Sequence, residues 1–254
     1  MLLQQTPIYT EQELRLIKAQ QVPHHVALIM DGNRRWARKH FLSHMKNPWR
    51  GHGEGAKVLG TVIESAFALG IKVVTFYAFS TENWNRSSQE ISILFSIFET
   101  HLKEYREKMV KSGVKFDTIG QLSCFPPLLQ QEIQKTREAT REGQNIQLIL
   151  AMNYGGRDEI KRATQAIVED VMEGKILKEE ISESLIARYL DTAHLGDPEL
   201  CIRTSGEMRI SNFLLWQLAY AEFYVTDVLW PEFTSQDLYK AVRAFQNRQR
   251  RLGG

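Results

Sequence analysis

Cysteine is nearly absent from this chain: Cys124 and Cys201 are the only two among 254 residues. Two cysteines make no disulfide framework and cannot alone build a zinc site, so the sequence points to a reducing compartment. An excess of one charge is also lacking. The 32 basic and 30 acidic side chains leave a formal +2, too little for the broad basic footprint of generic nucleic-acid binding. No apolar run approaches the ~20 residues that span a bilayer, and residues 1–21 lack the charged start and apolar stretch of a signal peptide. The 7 prolines and 16 glycines gather into no linker, and no repeat or low-complexity tract divides the chain. Rossmann and P-loop glycine patterns, a nucleophile elbow, H-E-x-x-H and C-x-x-C are all missing. Nucleotide cradles, serine nucleophiles and structural zinc therefore fall away as explanations.

What is present is the mix of a folded globular protein, 43% hydrophobic and 24% charged. Short β-rich runs at 25–30, 73–79, 114–120, 146–152, 200–204 and 224–230 alternate with segments of helical periodicity. That alternation predicts one α/β domain, a mostly parallel six-stranded sheet flanked by about seven helices. Ser87-Ser88-Gln89-Glu90 reads as a capping box leading into Ile91, Leu94, Phe95, Phe98, Leu102 and Tyr105. The segment 39–50 reads as a loop, and Gly51-His52-Gly53-Glu54-Gly55 as the opening of the next helix.

Ligands of an open parallel sheet sit beyond the carboxyl ends of its strands, and three such ends are polar here. Asp31-Gly32-Asn33-Arg34-Arg35-Trp36 joins a carboxylate to a glycine and two arginines, a pattern suited to a phosphate, though equally to a capped turn. Ser80-Thr81-Glu82-Asn83-Trp84-Asn85-Arg86 and Arg203-Thr204-Ser205-Gly206-Glu207-Met208-Arg209-Ile210-Ser211 repeat the theme. Glu222 is an acid embedded in an apolar run, a placement that calls for a salt-bridge partner or a metal.

Taken in order, 25–37, 77–84, 202–213 and 221–231 resemble the cis-prenyltransferases, and among them most closely the bacterial undecaprenyl diphosphate synthases. The resemblance implies sequential cis-condensation of isopentenyl diphosphate onto an allylic diphosphate such as farnesyl diphosphate, to make the polyprenyl carrier lipid of cell-wall synthesis. It implies a cytoplasmic homodimer using Mg²⁺, with peripheral contact at the inner face of the membrane through its lipid product. Residues 22–254 would form the catalytic domain, with 1–21 as an N-terminal extension. By the same resemblance Asp31 binds metal and handles the diphosphates, and Gly32, Asn33, Arg34, Arg35, Trp36 and His52 surround the allylic substrate. Ser80, Thr81, Glu82, Trp84 and Arg86 line the reaction centre, with Asn83 as proton acceptor. Arg203, Arg209, Ile210 and Ser211 match the isopentenyl diphosphate site, and Arg251-Leu252-Gly253 the family's C-terminal element. Glu222 resembles the second metal ligand, offered across the dimer interface. The stripe from Ile91 to Tyr105 becomes a wall for an apolar channel.

The chain departs from the family pattern in places. Arg34 stands where glycine is frequent, the loop before His52 is longer, and Pro48 takes the place of an arginine for which Arg50 substitutes. Ser205 replaces a frequent glycine and Met208 a frequent histidine. Two other readings remain beside this one, a non-catalytic relative that supports an active partner, and a different phosphate-handling α/β enzyme. Retention of Asp31 and the arginines counts against the first, and the absent nucleotide motifs against the second.

Overall fold

Alternate residues of the first strand, β1 (His25–Ile29), face opposite ways, as a period of two requires. Val26 and Leu28 enter one apolar cluster, while Ala27 and Ile29 enter another. The computed structural model describes residues 8–40 and 50–248. In it β1 pairs with β2 (Val73–Ser80) on one side and β5 (Leu200–Arg203) on the other. Beyond β2 lie β4 (Ile146–Tyr154) and β3 (Val114–Ile119), and beyond β5 lies β6 (Glu222–Val225), giving the order β3-β4-β2-β1-β5-β6. Every pairing is parallel. Both faces are covered, which is why the strands read as continuous apolar runs.

Eight α-helices occur among the described residues: α1 (Glu11–Lys18), α2 (Asn33–His40), α3 (Arg50–Leu69), α4 (Ser88–Lys111), α5 (Pro127–Thr140), α6 (Gly156–Met172), α7 (Glu183–Tyr189) and α8 (Ser235–Gln246). The helix beyond the expected seven includes α1, which lies within residues read as an extension. There Ile17 and Tyr9 join the core, and Tyr9 Oη donates to the Ser235 carbonyl at 2.9 Å. The segment 39–50 was expected to be a loop, but Lys39 and His40 complete α2 and Arg50 begins α3; 41–49, with Pro48, lie outside the described residues.

The last strand also differs from expectation, spanning Glu222–Val225 rather than 224–230. Past Val225 the chain turns, and Trp230-Pro231-Glu232 forms a 3₁₀ turn. Proline cannot donate to a ladder, and buried Trp230 is used otherwise. Its N–H donates to the Asp31 carbonyl at 3.0 Å and its Nε1 to the Gly55 carbonyl at 2.8 Å.

Helix α4 divides its apolar residues between two tasks. Phe95 stacks into an aromatic cluster with Phe79, Trp84 and Phe125. Leu94, Phe98, Leu102 and Tyr105 instead face α3 across an apolar cavity of about 340 Å³, floored by Leu148 and Leu150 of β4. Lining residues from Leu94 to Met109 span roughly 22 Å of helix at 1.5 Å per residue. The expected apolar channel is thus a property of the fold.

Glycines let α3 approach α2 and the Trp230 ring. A Cβ on Gly51 would fall 2.0 Å from the Asn33 carbonyl oxygen, and one on Gly55 would fall 2.7 Å from Trp230 Cδ1, whereas one on Gly53 would meet nothing within 4 Å. Gly55→Ala is therefore expected to destabilise the fold by about 1–3 kcal/mol through overpacking. Gly53→Ala should be neutral or stabilise by up to about 1 kcal/mol. Urea denaturation of the two variants checks the contrast; equal effects would refute the close-approach account.

Candidate active site at the strand ends

All six strands point the same way, so the loops after β1, β2, β4 and β5 converge on one edge of the sheet. Asp31, just past β1, links to the end of β5. Arg203 Nη2 donates to Asp31 Oδ2 at 2.8 Å, the Gly32 N–H to Oδ1 at 2.7 Å, and the Asp31 N–H to Thr204 Oγ1 at 2.9 Å. Gly32 adopts φ +108°, where a side chain would be strained and would strike Leu229. Arg203 is buried in β5 with its side chain 6% exposed. Its Nη1 donates to Ser211 Oγ at 2.9 Å and to the Arg209 carbonyl, while its Nε is buried without a hydrogen-bond partner.

Arg35 extends this network. It donates to Ser205 Oγ at 2.6 Å and Glu207 Oε1 at 3.2 Å, and lies 3.8 Å from Asp31. Arg209 also pairs with Glu207. Ser205, where the family often has glycine, therefore works as an acceptor for Arg35, and Met208 projects outward, 88% exposed.

A second network centres on Glu90, which is 1% exposed in the first turn of α4. Ser87 Oγ accepts the Glu90 N–H at 3.3 Å, as a cap should. The other half of the predicted capping box does not form. The Glu90 carboxylate turns instead to Arg34, which donates from Nε at 3.1 Å and from Nη2, to Arg86 Nη1 at 2.9 Å and to His52 Nε2 at 3.2 Å. Burial raises the Glu90 pKa, but the Arg34 hydrogen bond and the Arg86 and Arg34 charges outweigh it and hold the group below the carboxylate range. Burial first, and then the Arg86 charge, push the His52 imidazole below its usual 6.5, so it is neutral at pH 7. Arg34 thus fills the place of a frequent glycine with a guanidinium clasped to Glu90.

Between these networks lies a polar cavity of about 770 Å³, lined by Asp31, Ser80, Glu82, Asn83, Arg86, Arg157, Arg203, Ile210, Ser211 and Asn212 among others. Asn33 and His52 line the apolar cavity, and Met30, just past β1, lines both, so the two spaces adjoin there. Asn83 Oδ1 accepts the Ser80 N–H at 3.2 Å, which fixes the amide and leaves that oxygen one lone pair. Glu82 accepts from Asn212 Nδ2 at 2.8 Å. Thr81 lies against Gly155, whose Cβ would come within 2.6 Å of its Oγ1.

Other expected site residues stand elsewhere. Trp84 lines neither cavity; its Nε1 donates to Asn153 Oδ1 at 2.8 Å. Trp36 stacks on His40 at 4.5 Å, and Arg50 begins α3. Glu222 opens β6 in register with Leu200, which is itself level with Val26. That places it roughly 16 Å along the strand direction from Asp31, where it accepts from Arg248 Nη1 at 2.6 Å. Arg251, Leu252 and Gly253 lie outside the described residues. Sequence reasoning missed Glu90, Asn212 and Arg157 as site residues. For Glu90 the available signal was Arg86, four residues earlier at the turn into α4.

Five arginines, Arg34, Arg35, Arg86, Arg203 and Arg209, share three carboxylates, Asp31, Glu90 and Glu207. The surplus is positive, and Arg86 and Arg203 carry it to the lining of the polar cavity, an arrangement that receives an anion. Glu90→Gln should cost about 2 kcal/mol at pH 7, below the usual figure for breaking a buried pair because Arg34 is half exposed. Glu90 is held below its ordinary 4.5, so this stabilisation is present above that pH and lost as pH falls through the folded-state value. Urea denaturation should show the gap between the two proteins narrowing as pH falls below 4.5 through the lowered folded-state value; a constant gap would refute the ion-pair account.

Comparison with known proteins agrees with this geometry. The family profile described as "Putative undecaprenyl diphosphate synthase" matches residues 29–253. An isoprenyl transferase of Chlamydia abortus is 49% identical over 237 residues, 93% of this chain and 95% of that protein. One from Bacillus thuringiensis subsp. konkukian is 44% identical over 94% and 91% of the two chains. The crystal structure of lavandulyl diphosphate synthase from Lavandula x intermedia, in complex with dimethylallyl diphosphate, superposes with a TM-score of 0.88 at 35% identity, over 92% of this chain and 99% of that one. A structure described as a probable undecaprenyl diphosphate synthase from Campylobacter jejuni gives 0.76 at 32% identity, over 92% and 100%. The chain belongs to the undecaprenyl diphosphate synthase family of cis-prenyltransferases.

Proposed function

We propose that this enzyme extends an allylic diphosphate, farnesyl diphosphate, by repeated cis-addition of isopentenyl diphosphate, making the undecaprenyl carrier used in cell-wall synthesis. The observation that carries this reading is the junction of an arginine-rich polar cavity with an apolar one of about 340 Å³. Such a junction suits an amphiphile with an anionic head and a hydrocarbon tail.

In each cycle the allylic diphosphate lies at the mouth of the apolar cavity, its head among Arg34, Arg35, His52 and Arg86 and its tail between α3 and α4. Isopentenyl diphosphate takes Arg203, Arg209, Ile210 and Ser211. As the carbon–oxygen bond to the allylic diphosphate breaks, guanidiniums already in position stabilise the charge developing on the departing group. The isopentenyl double bond attacks the allylic carbon to form the new carbon–carbon bond, and the proton lost afterwards passes to Asn83. Neutral His52 donates a hydrogen bond without adding another charge to repel its arginine neighbours. Diphosphate and a chain five carbons longer result.

The donor set fits a magnesium ion. Asp31 is a carboxylate partly open to the polar cavity, and Mg²⁺ is held by one or two carboxylates together with substrate phosphates and water. Among the described residues no three acids or imidazoles gather into a ready-made metal cluster. When bound, the ion would neutralise diphosphate charge and polarise the leaving group. Glu222 is the second carboxylate, presented by a partner protomer: β6 is the outer strand of the sheet, and Phe223 and Tyr220 beside Glu222 are exposed. Among the described residues no helix is long and apolar enough to cross a membrane; contact with a bilayer is assigned to the lipid product at the inner face.

Purified protein with labelled isopentenyl diphosphate, farnesyl diphosphate and Mg²⁺ should yield a ladder of extractable lipids ending in a long polyprenyl product, and none without Mg²⁺. In that assay Asn83→Ala should lower kcat far more than it raises either KM. Absence of product from folded protein would refute the catalytic reading. Asp31→Ala and Glu222→Ala should each abolish turnover separately. Mixed and re-equilibrated, they should regain roughly a quarter of wild-type activity if two-fold dimers exchange subunits and Glu222 acts across the interface. No recovery, with mixed dimers shown to form, would refute the shared site.

A further inference from the structure

Arg34 and Arg86 lie on Glu90, Arg35 and Arg209 on Glu207, and Arg203 on Asp31. Arg157, in the first turn of α6, is different. It lines the same polar cavity, and among the described residues its guanidinium has neither a hydrogen-bond acceptor nor an ion-pair partner.

Its backbone, by contrast, is pinned. Asn212 accepts the Arg157 N–H on Oδ1 at 2.9 Å and the Gly156 N–H on its carbonyl at 2.7 Å, and donates to Glu82. These bonds occupy the first free amides of α6, so the helix end itself is capped and the side chain is what remains available. Asn212 holds this position from strained backbone: Ser211, Asn212 and Leu214 have φ of +50°, +65° and +44°. Residues without that freedom adopt such angles where the surrounding structure over-determines them, commonly at ligand sites. The fit is close, since a Cβ on Gly155 would lie 2.7 Å from Asn212 Nδ2 and one on Gly156 2.9 Å from the Leu215 nitrogen. The same short segment carries Ser211, which accepts from Arg203. The clamp therefore holds Arg157 and the Arg203–Ser211 pair at a set separation around one cavity.

We infer that Arg157 is a binding residue for the diphosphate of the isopentenyl substrate, joining Arg203 and Ser211 on the lining of one cavity. This rests on the proposed function. The choice between the two substrates follows from position. Arg157 shares the polar cavity with Arg203, Ile210 and Ser211, the residues given to isopentenyl diphosphate, whereas of those given to the allylic head only Arg86 lines it and His52 lines the apolar one. A free guanidinium offers two parallel N–H donors to phosphate oxygens, which an ammonium reproduces only as a point charge.

The test uses the full chain with Arg157→Ala and Arg157→Lys. Steady-state kinetics vary each substrate in turn, and calorimetry titrates isopentenyl diphosphate and inorganic pyrophosphate. The alanine variant should raise the KM and Kd for isopentenyl diphosphate about tenfold, the usual weight of a charge-assisted contact. The allylic KM and the melting temperature should not change, and lysine should recover part of the loss. Unaltered isopentenyl affinity in an active enzyme overturns the inference, as does an equal loss for the allylic substrate. A loss confined to pyrophosphate places Arg157 on the released product and overturns the substrate assignment. Wild-type protein that binds both anions through Arg157 yet makes no prenyl product would sink the catalytic reading while the anion site stands.

Discussion

Glu90 is the contact on which the site depends. A carboxylate 1% exposed stays ionised only when neighbouring groups restore what burial removes. Here the restoring groups come from three separate stretches of chain: Arg34 on α2, His52 on α3, and Arg86 at the turn into α4. Each would be unfavourably placed without the acid, because two guanidiniums converge on the same point. With it, their positions are settled before any ligand arrives and only one unit of their charge is neutralised. Preorganised charge of this kind needs no rearrangement when negative charge develops beside it.

The apolar cavity supplies what the arginines cannot. A diphosphate head held by charge alone would exchange freely with other phosphates, and the salt dependence of such contacts is steep. Leu59 and Ile63 of α3 and Leu94 and Phe98 of α4 line that cavity together with His52. On the proposed reading each five-carbon unit drawn between the helices contributes ~4 kcal/mol at ~0.8 kcal/mol per carbon. Retention then grows with chain length, while the head stays at the same arginines. The length of α4 gives the cavity its reach: 24 residues form a helix roughly 36 Å long, and α3 lies beside it over much of that distance.

Most of this was legible in the chain, because parallel strands bring their carboxyl ends together and leave polar loops there as readable clusters. Asp31, Asn83, Arg86, Arg203 and Ser211 meet around one cavity, as the strand-end loops implied. What escaped had a local explanation that sufficed. Glu90 satisfies the Ser87 capping pattern in sequence, and nothing local shows that Arg34, 56 residues away, claims its side chain. The run 224–230 alternates well enough for a strand, but periodicity cannot distinguish strand from a buried turn, and Trp230 is buried as a wall beneath Asp31. Trp84 sits among polar residues yet turns its ring to Phe95 and Phe125, a pairing visible only once α4 and the segment before α5 are placed. Arg157 follows two glycines whose need for close contact with the 211–215 segment is likewise a fact of the folded chain.

The all-parallel topology also limits how a metal can be held. Asp31 lies past the end of β1, whereas Glu222 begins β6, so a single chain puts them at opposite ends of the sheet. Within reach of Asp31 the polar cavity offers Glu82, which Asn212 already engages. Asp31 itself accepts from the Gly32 N–H and from Arg203, leaving few lone pairs for an ion. On the proposed reading, Asp31 by itself presents too few oxygens to hold a hard divalent cation ahead of the substrate, and diphosphate oxygens must complete the set. Arg203 then has two partners in succession. In the free protein it pairs with Asp31; on the proposed reading, with substrate bound Arg203 would hold the diphosphate and Asp31 would hold the cation. A buried arginine is suited to both roles because it remains charged throughout, so the same side chain offsets Asp31 in the free protein and would supply positive charge where the leaving group departs.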